Sequence, residues 1–194
     1  MKTKIYTKVL MTAALACFTL LASAQVRFGP VAGVNLANIS GDGDDQNAMK
    51  IGLHIGGVVE IAISDNFMVA PGVLYSMKGT QDKDDSKFKL NANYIEVPVN
   101  AKYKLESGLN FFAGPYLGLL MSAKATDGTN DTDVKDFFKS SDFGLNGGIG
   151  FDLESGLGFS AQYGMSLSSI SDDSSVDSKN TVIGISVRYM LGDK

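Results

Sequence analysis

From Asp142 to Leu153 the chain alternates. Phe143, Leu145, Gly147, Ile149, Phe151 and Leu153 take one parity, and Asp142, Gly144, Asn146, Gly148, Gly150 and Asp152 the other. After Glu154-Ser155-Gly156 the pattern resumes, with Leu157, Phe159, Ala161, Tyr163, Met165 and Leu167 set against Gly158, Ser160, Gln162, Gly164 and Ser166. A period of two predicts β-strand, and a three-residue turn containing Gly predicts a hairpin. One face is apolar along its whole length, whereas the other is small, polar or charged. That contrast fits a strand with lipid on one side and a polar barrel interior on the other.

The same period predicts six further strands. The first runs from Val26 to Ile39, with Phe28, Pro30, Ala32, Val34 and Leu36 on the apolar face. The second carries Ile51, Leu53, Ile55, Gly57, Val59, Ile61 and Ile63, and the third Phe67, Val69, Pro71, Val73, Tyr75 and Met77. The fourth presents Ile95, Val97, Val99, Ala101 and Tyr103, and the fifth Leu109, Phe111, Ala113, Pro115, Leu117, Leu119 and Met121. The last presents Ile183, Ile185, Val187, Tyr189 and Leu191. Short turns at Ser64-Asp65-Asn66, Glu106-Ser107-Gly108 and Glu154-Ser155-Gly156 alternate with polar loops at residues 40–49, 79–91, 124–141 and 171–179. The expectation is an all-β, eight-stranded, antiparallel up-and-down transmembrane barrel. Its short turns would be periplasmic and its long loops external. Pro71, Pro98 and Pro115 require bulges, barrel ends or some other local accommodation.

Charge placement agrees with this facing. Arg27, Glu60, Glu96, Lys102, Asp152 and Arg188 all fall on the lumenal parity. A Lys or Arg facing lipid at mid-membrane would cost roughly 2–4 kcal/mol, and a one-residue slip would put every such charge there. Eight strands enclose only enough room for side chains. These six residues are therefore expected to form a structural polar plug, with Glu60 as partner of Arg27 and Arg188. A proton or ion pathway is the other reading of the same cluster.

The amino terminus has a different character. Lys2, Lys4 and Lys8 precede an apolar run from Val9 to Leu21 and an Ala22-Ser23-Ala24 cleavage pattern. Residues 1–24 thus read as a cleaved secretory signal peptide and residues 25–194 as one barrel domain. The single cysteine, Cys17, lies in the leader, so no disulfide or thiol chemistry is expected of the mature chain. Loss of the three leader lysines leaves 14 basic against 21 acidic residues, a net charge of −7, which argues against a nucleic-acid partner.

Motifs for other chemistry are lacking. His54 is the only histidine and has no cysteine or second histidine as a co-ligand, so no metal site is expected around it. Asp42, Asp44 and Asp45, and Asp127, Asp131 and Asp133, lack the spacing of an EF-hand and read as solvated acidic loops. Gly147-Gly148-Ile149-Gly150 lies mid-strand without a following Lys-Ser/Thr and is no phosphate loop. No Ser/His/Asp constellation is apparent. Phe137-Phe138 reads either as a contact site in an outer loop or as part of an aromatic girdle. No catalytic residue and no cofactor is assigned.

Gly33-Val34-Asn35-Leu36-Ala37-Asn38-Ile39-Ser40-Gly41 resembles the first-strand motif of small PorT-like outer membrane β-barrel proteins. Pro71 to Gly79, Tyr94-Ile95-Glu96-Val97-Pro98-Val99 and Ala113-Gly114-Pro115-Tyr116 resemble further parts of the same family. The likeness covers the mature chain and implies a barrel of the OmpX and OmpA-transmembrane type in a Gram-negative outer membrane. Such barrels usually end on an aromatic residue; here Leu191 takes that place, before Gly192-Asp193-Lys194. The resemblance implies that location and no shared activity; with a plugged lumen and no catalytic constellation, the expected role is non-enzymatic, in envelope structure or surface interaction through the external loops. Expected partners are outer-membrane lipid and lipopolysaccharide, the barrel assembly machinery during insertion, and a surface partner at the loops, with the barrel itself a monomer. A transport or type IX secretion accessory is the alternative. A soluble periplasmic carrier of lipocalin type would need the opposite facing, with an apolar lumen and a polar exterior.

Overall fold

A computed structural model describes residues 25–41 and 46–192. Eight long strands account for most of them: β1 (Val26–Gly41), β2 (Lys50–Ala62), β3 (Phe67–Asp82), β4 (Lys89–Lys104), β5 (Leu109–Thr126), β6 (Ser141–Asp152), β7 (Leu157–Ser166) and β8 (Ser178–Tyr189). Each pairs antiparallel with the next, and β8 closes on β1 from Val31↔Arg188 to Gly41↔Ser178. Closure leaves none of the eight with an open edge along the barrel body. No helix among the described residues is long and apolar enough to cross a membrane. The proposed leader, residues 1–24, lies outside the described residues.

The register fixes the barrel's dimensions. Starting at Val26, successive partners are Ile61, Val69, Ala101, Ala113, Gly147, Tyr163, Ile183 and then Leu36, a return displaced by 10 residues along β1. Eight strands with that shear tilt by roughly 40° and make a cylinder of about 8 Å backbone radius, a width that side chains fill. The row just followed is entirely outward-facing. Outward side chains are apolar and most are exposed, among them Leu53, Ile55, Val73, Leu145 and Ile185. Rings cluster toward the short-turn end, where Phe28, Phe67, Tyr103, Phe111, Phe151, Phe159 and Tyr189 all face outward. Apolar exterior and polar interior are the reverse of a soluble carrier's arrangement.

Two of the short turns are the same sequence in the same conformation. Glu106-Ser107-Gly108 and Glu154-Ser155-Gly156 each place Gly at φ +91°, where a side chain would be strained. Inside, flat rings lie over glycines of the adjacent strand. A Cβ on Gly33 would come within 2.6 Å of the His54 ring, and one on Gly144 within 2.5 Å of the Tyr116 ring. Small residues on the lumenal parity are thus the space into which larger neighbours lean.

Pro71, Pro98 and Pro115 are accommodated without bulges. The β2–β3 ladder lacks its pairs at Val59/Pro71 and Glu60/Ala70, β3–β4 at Gly72/Pro98 and Val73/Val97, and β4–β5 at Val99/Pro115 and Asn100/Gly114. Proline has no N–H to donate, so the facing carbonyl loses its ladder partner. The interruptions fall side by side and form a seam across three consecutive ladders. The irregularity in register lies elsewhere, between Asn93 and Tyr94 opposite Met121.

That bulge changes which residues point inward. Up to Leu120 the even positions of β5 face the lumen, and beyond it Ala123 does. Ala92, Tyr94, Leu120 and Ala123 make a small buried cluster against which Val134 and Phe138 pack. The external loops are also shorter than the sequence pattern predicts, because β3 and β4 stay paired from Gly79↔Asn91 to Gln81↔Lys89 and β5 runs on to Thr126. The lipid-facing alternation stops at the membrane boundary, whereas backbone pairing does not. Asp131–Asp133 adds a short strand to β5, and Phe138 bridges to Ser171. Further bonds run from Lys139 N to Ile170 O (2.8 Å) and from Asp172 N to Phe137 O (3.0 Å).

Two outcomes follow. Nitroxide labels at Leu145 and Phe159 in liposomes are expected to be relaxed by dissolved oxygen and shielded from a water-soluble nickel complex; the opposite ranking would reverse the facing. Hydrogen exchange is expected to be faster in residues 70–73 and 97–100 than in the uninterrupted β6–β7 ladder, and equal protection would refute the seam.

Candidate functional site

The lumen is closed at two levels by buried polar groups. The lower level is a ring of four ions, one from each even-numbered strand: Glu60 on β2, Lys102 on β4, Asp152 on β6 and Arg188 on β8. Lys102 Nζ lies 2.5 Å from Glu60 Oε1 and 2.7 Å from Asp152 Oδ2. Arg188 Nη2 lies 2.5 Å from Asp152 Oδ1, and its Nε 3.8 Å from Glu60 Oε1. Signs alternate around the ring, so every ion touches two of opposite charge and the set is neutral. Even-numbered strands all run toward the short-turn end of the barrel, and this brings these four lumenal charges to one depth.

The upper level is centred on Lys78 and Asp142, which sequence reasoning left out of the cluster. Lys78 Nζ pairs with Glu96 Oε2 at 2.6 Å and Asp142 Oδ2 at 3.3 Å, and stands 4.3 Å from the centre of the Tyr116 ring. Asp142 is fully buried. Its carboxylate accepts from Ser166 Oγ (2.6 Å), Asn180 Nδ2 (3.0 Å) and the Tyr116 hydroxyl (3.3 Å). Those donors satisfy the oxygens of a side chain that has no access to water. The available signal was parity. Both residues sit on lumenal positions, but at the loop ends of their strands, where a charge reads as solvated.

His54 lies between the levels. Asn35 donates from Nδ2 to Ser76 Oγ (3.1 Å) and Met77 O (3.2 Å), which directs its Oδ1 at His54 Nδ1 (2.8 Å). His54 therefore donates from Nδ1, and Nε2 accepts from the Ser186 hydroxyl at 2.8 Å. Both ring nitrogens are occupied by this bridge. Among the described residues, no group of three or more His, Cys, Asp or Glu is placed to hold a metal ion. Asp42, Asp44 and Asp45 lie outside the described residues. A cavity of about 80 Å³ separates the two levels, with His54, Gly72, Pro98, Asn100 and Asn146 in its wall. The Oδ1 atoms of Asn100 and Asn146 are buried there without hydrogen-bond partners.

The six residues singled out in the sequence thus divide. Glu60, Lys102, Asp152 and Arg188 meet in the ring, and Glu96 belongs to the upper level with Lys78. Arg27 faces Glu60 across the β1–β2 ladder but makes no ion pair among the described residues, because Lys102 and Arg188 hold that carboxylate from across the lumen. The two phenylalanines of the longest loop also part: Phe138 packs on the internal cluster and Phe137 is 71% exposed, so they are not a girdle pair.

Removing one member of the ring leaves an uncompensated buried charge, at a cost of about 3–5 kcal/mol. Glu60→Ala and Lys102→Met are each expected to unfold in detergent at markedly lower temperature, read as the loss of the gel-mobility difference between unheated and boiled samples. Unchanged midpoints would remove the ring from the account of stability.

A profile of the family described as outer membrane protein beta-barrel domain matches residues 21–172. The crystal structure of Neisserial surface protein A aligns with a TM-score of 0.55 at 16% identity, covering 84% of this chain and 96% of that one. The crystal structure of Ail, the attachment invasion locus protein of Yersinia pestis, in complex with the heparin analogue sucrose octasulfate, aligns at 0.53 and 13% identity, covering 86% and 99%. No curated protein sequence matches the chain. With the family profile spanning most of the sequence and the closed eight-stranded barrel matching these surface proteins in fold, the chain belongs to the outer membrane β-barrel domain family and is an integral barrel of the Gram-negative outer membrane.

Proposed function

We propose that this barrel is non-enzymatic and works through its external loops, as a surface-interaction element of the envelope rather than as a pore. The carrying observation is the contrast between a lumen blocked at two levels and loops that are densely charged. Residues 42–49, 83–88, 127–140 and 167–177 hold twelve aspartates against four lysines. Two of these carboxylates are held below the usual carboxylate range by local donors, Asp127 by the backbone N–H of Asn130 and Thr129, and Asp173 by the N–H and hydroxyl of Ser175. Their charge persists into mild acid. The chemistry that meets such a surface is cationic: a basic protein segment, or divalent cations bridging to the phosphates of lipopolysaccharide. Ail's sulfated ligand has the opposite requirement, so likeness of fold to Ail does not carry its ligand to these loops.

In this reading residues 1–24 direct export and are removed, the assembly machinery inserts the barrel as a monomer, and lipid contacts the outward apolar face. A transport or secretion accessory is the second reading, favoured by the cavity between the two polar levels. Proteoliposomes carrying the barrel are expected to capture a fluorescent oligolysine peptide in a salt-sensitive way. The variant Asp133→Asn/Asp136→Asn/Asp172→Asn/Asp173→Asn is expected to lose most of that capture, and planar bilayers to show no discrete conductance. Capture unaffected by the four changes would refute the loop reading, and steady conductance abolished by altering the ring would favour transport.

A further inference from the structure

The short-turn end of the lumen opens into a hollow of about 750 Å³ below the ion ring. That is within the range of small-ligand sites. Its charges are sorted by depth. Arg27 and Lys104 are half-buried in its wall, beside the ring members Glu60 and Asp152. The three turns that frame its mouth each contribute one exposed carboxylate, from Asp65, Glu106 and Glu154.

Among the described residues the inner cations have no counterion of their own. Glu60 and Asp152 are the nearby lumenal carboxylates, and both are held by Lys102 and Arg188 in a ring that is already neutral. Among the described residues neither Arg27 nor Lys104 makes an ion pair, and Arg27 Nε is buried without a hydrogen-bond partner. Two positive charges therefore face the hollow in excess, one of them a planar fork suited to a carboxylate. The turn carboxylates make no ion pairs among the described residues either. A compact polyanion such as a phosphate ester would have to pass three negative charges to reach the cations. A dipolar molecule, anionic at its leading end and cationic behind, meets attraction at both depths.

We propose that this hollow binds the free carboxylate end of a short peptide bearing an ammonium group. The carboxylate lies against Arg27 and Lys104, and the ammonium group among Asp65, Glu106 and Glu154. The site faces the periplasm by the placement of the short turns, so its ligand comes from that side and is independent of any partner at the external loops. It also gives the unpaired Arg27 a role that the plug does not.

Isothermal titration of the folded barrel in a non-ionic maltoside, with the tripeptide Ala-Ala-Lys as probe, tests this. Saturable, salt-sensitive binding is expected, weakened about tenfold or more by amidation of the carboxylate and by Arg27→Gln. Glu106→Gln/Glu154→Gln is expected to weaken the peptide while leaving its lysine-acetylated form unchanged. Heat-modifiable gel mobility checks that each variant is folded. Should Arg27→Gln fail that check, Lys104→Gln at the strand end is expected to give the same loss. No saturable binding, equal binding of the amide, or affinity indifferent to whichever inner cation is removed would overturn the proposal.

Discussion

Hydrocarbon neither donates nor accepts a hydrogen bond, so the spanning strands turn their charges away from it and pair their backbone with one another, the proline seam excepted. Strands cannot end in an open edge within the bilayer, so eight of them close on themselves. Closure at a shear of 10 leaves an interior too narrow for bulk water, into which Glu60, Lys78, Glu96, Lys102, Asp142, Asp152 and Arg188 are turned, whereas the exposed Lys124 and Lys179 lie at the loop ends of their strands. Ions in such a space are tolerable only if they neutralise one another. The Glu60–Lys102–Asp152–Arg188 ring does this with each ion in contact with two opposite neighbours, and the Lys78–Glu96–Asp142 level adds neutral donors around a fully buried carboxylate. A buried ion pair is weak evidence of net stabilisation. Its value here is specificity, because only one register and one closure bring the four side chains together.

Two features stand against this rigidity. The proline seam removes ladder pairs from three adjacent strand interfaces on one side of the barrel, next to the cavity between the polar levels. The periplasmic hollow keeps two cations that the ring leaves unmatched. Above, the loops carrying Phe137-Phe138 and Ile170 are bonded to each other, and Ile170 is fully buried where they meet. From one end to the other the interior therefore reads as an open periplasmic bowl, an ionic floor, a small cavity, a second polar level and an apolar cap. Nothing in that series is a continuous passage, and this directs attention to the two ends.

Much of this was legible before folding. Alternation in segments such as Leu145 to Phe151 specifies strand and facing together, because in a bilayer the penalty for a wrong face is large and local. The matching Glu-Ser-Gly turns mark one end of the barrel. Lys78 and Asp142 were less legible, since a charge beside a polar loop has the same local sequence whether it is hydrated or turned inward. Loop lengths were overestimated at Gly79–Asn91 for a related reason: paired strands outside the membrane need no apolar face, so the pattern that reveals them disappears.

Sequence alone determined the strands, their lipid-facing sides and the sign of the interior, because each depends on neighbours two residues apart and on the solvent outside. Only the tertiary structure decided that Glu60 is held by Lys102 and Arg188 rather than by Arg27, that Met121 is the bulge that turns Ala123 inward, and that three prolines share one seam. Those outcomes depend on shear, which sets the heights at which residues far apart in the chain meet across a closed cylinder. No run of local alternation contains that number.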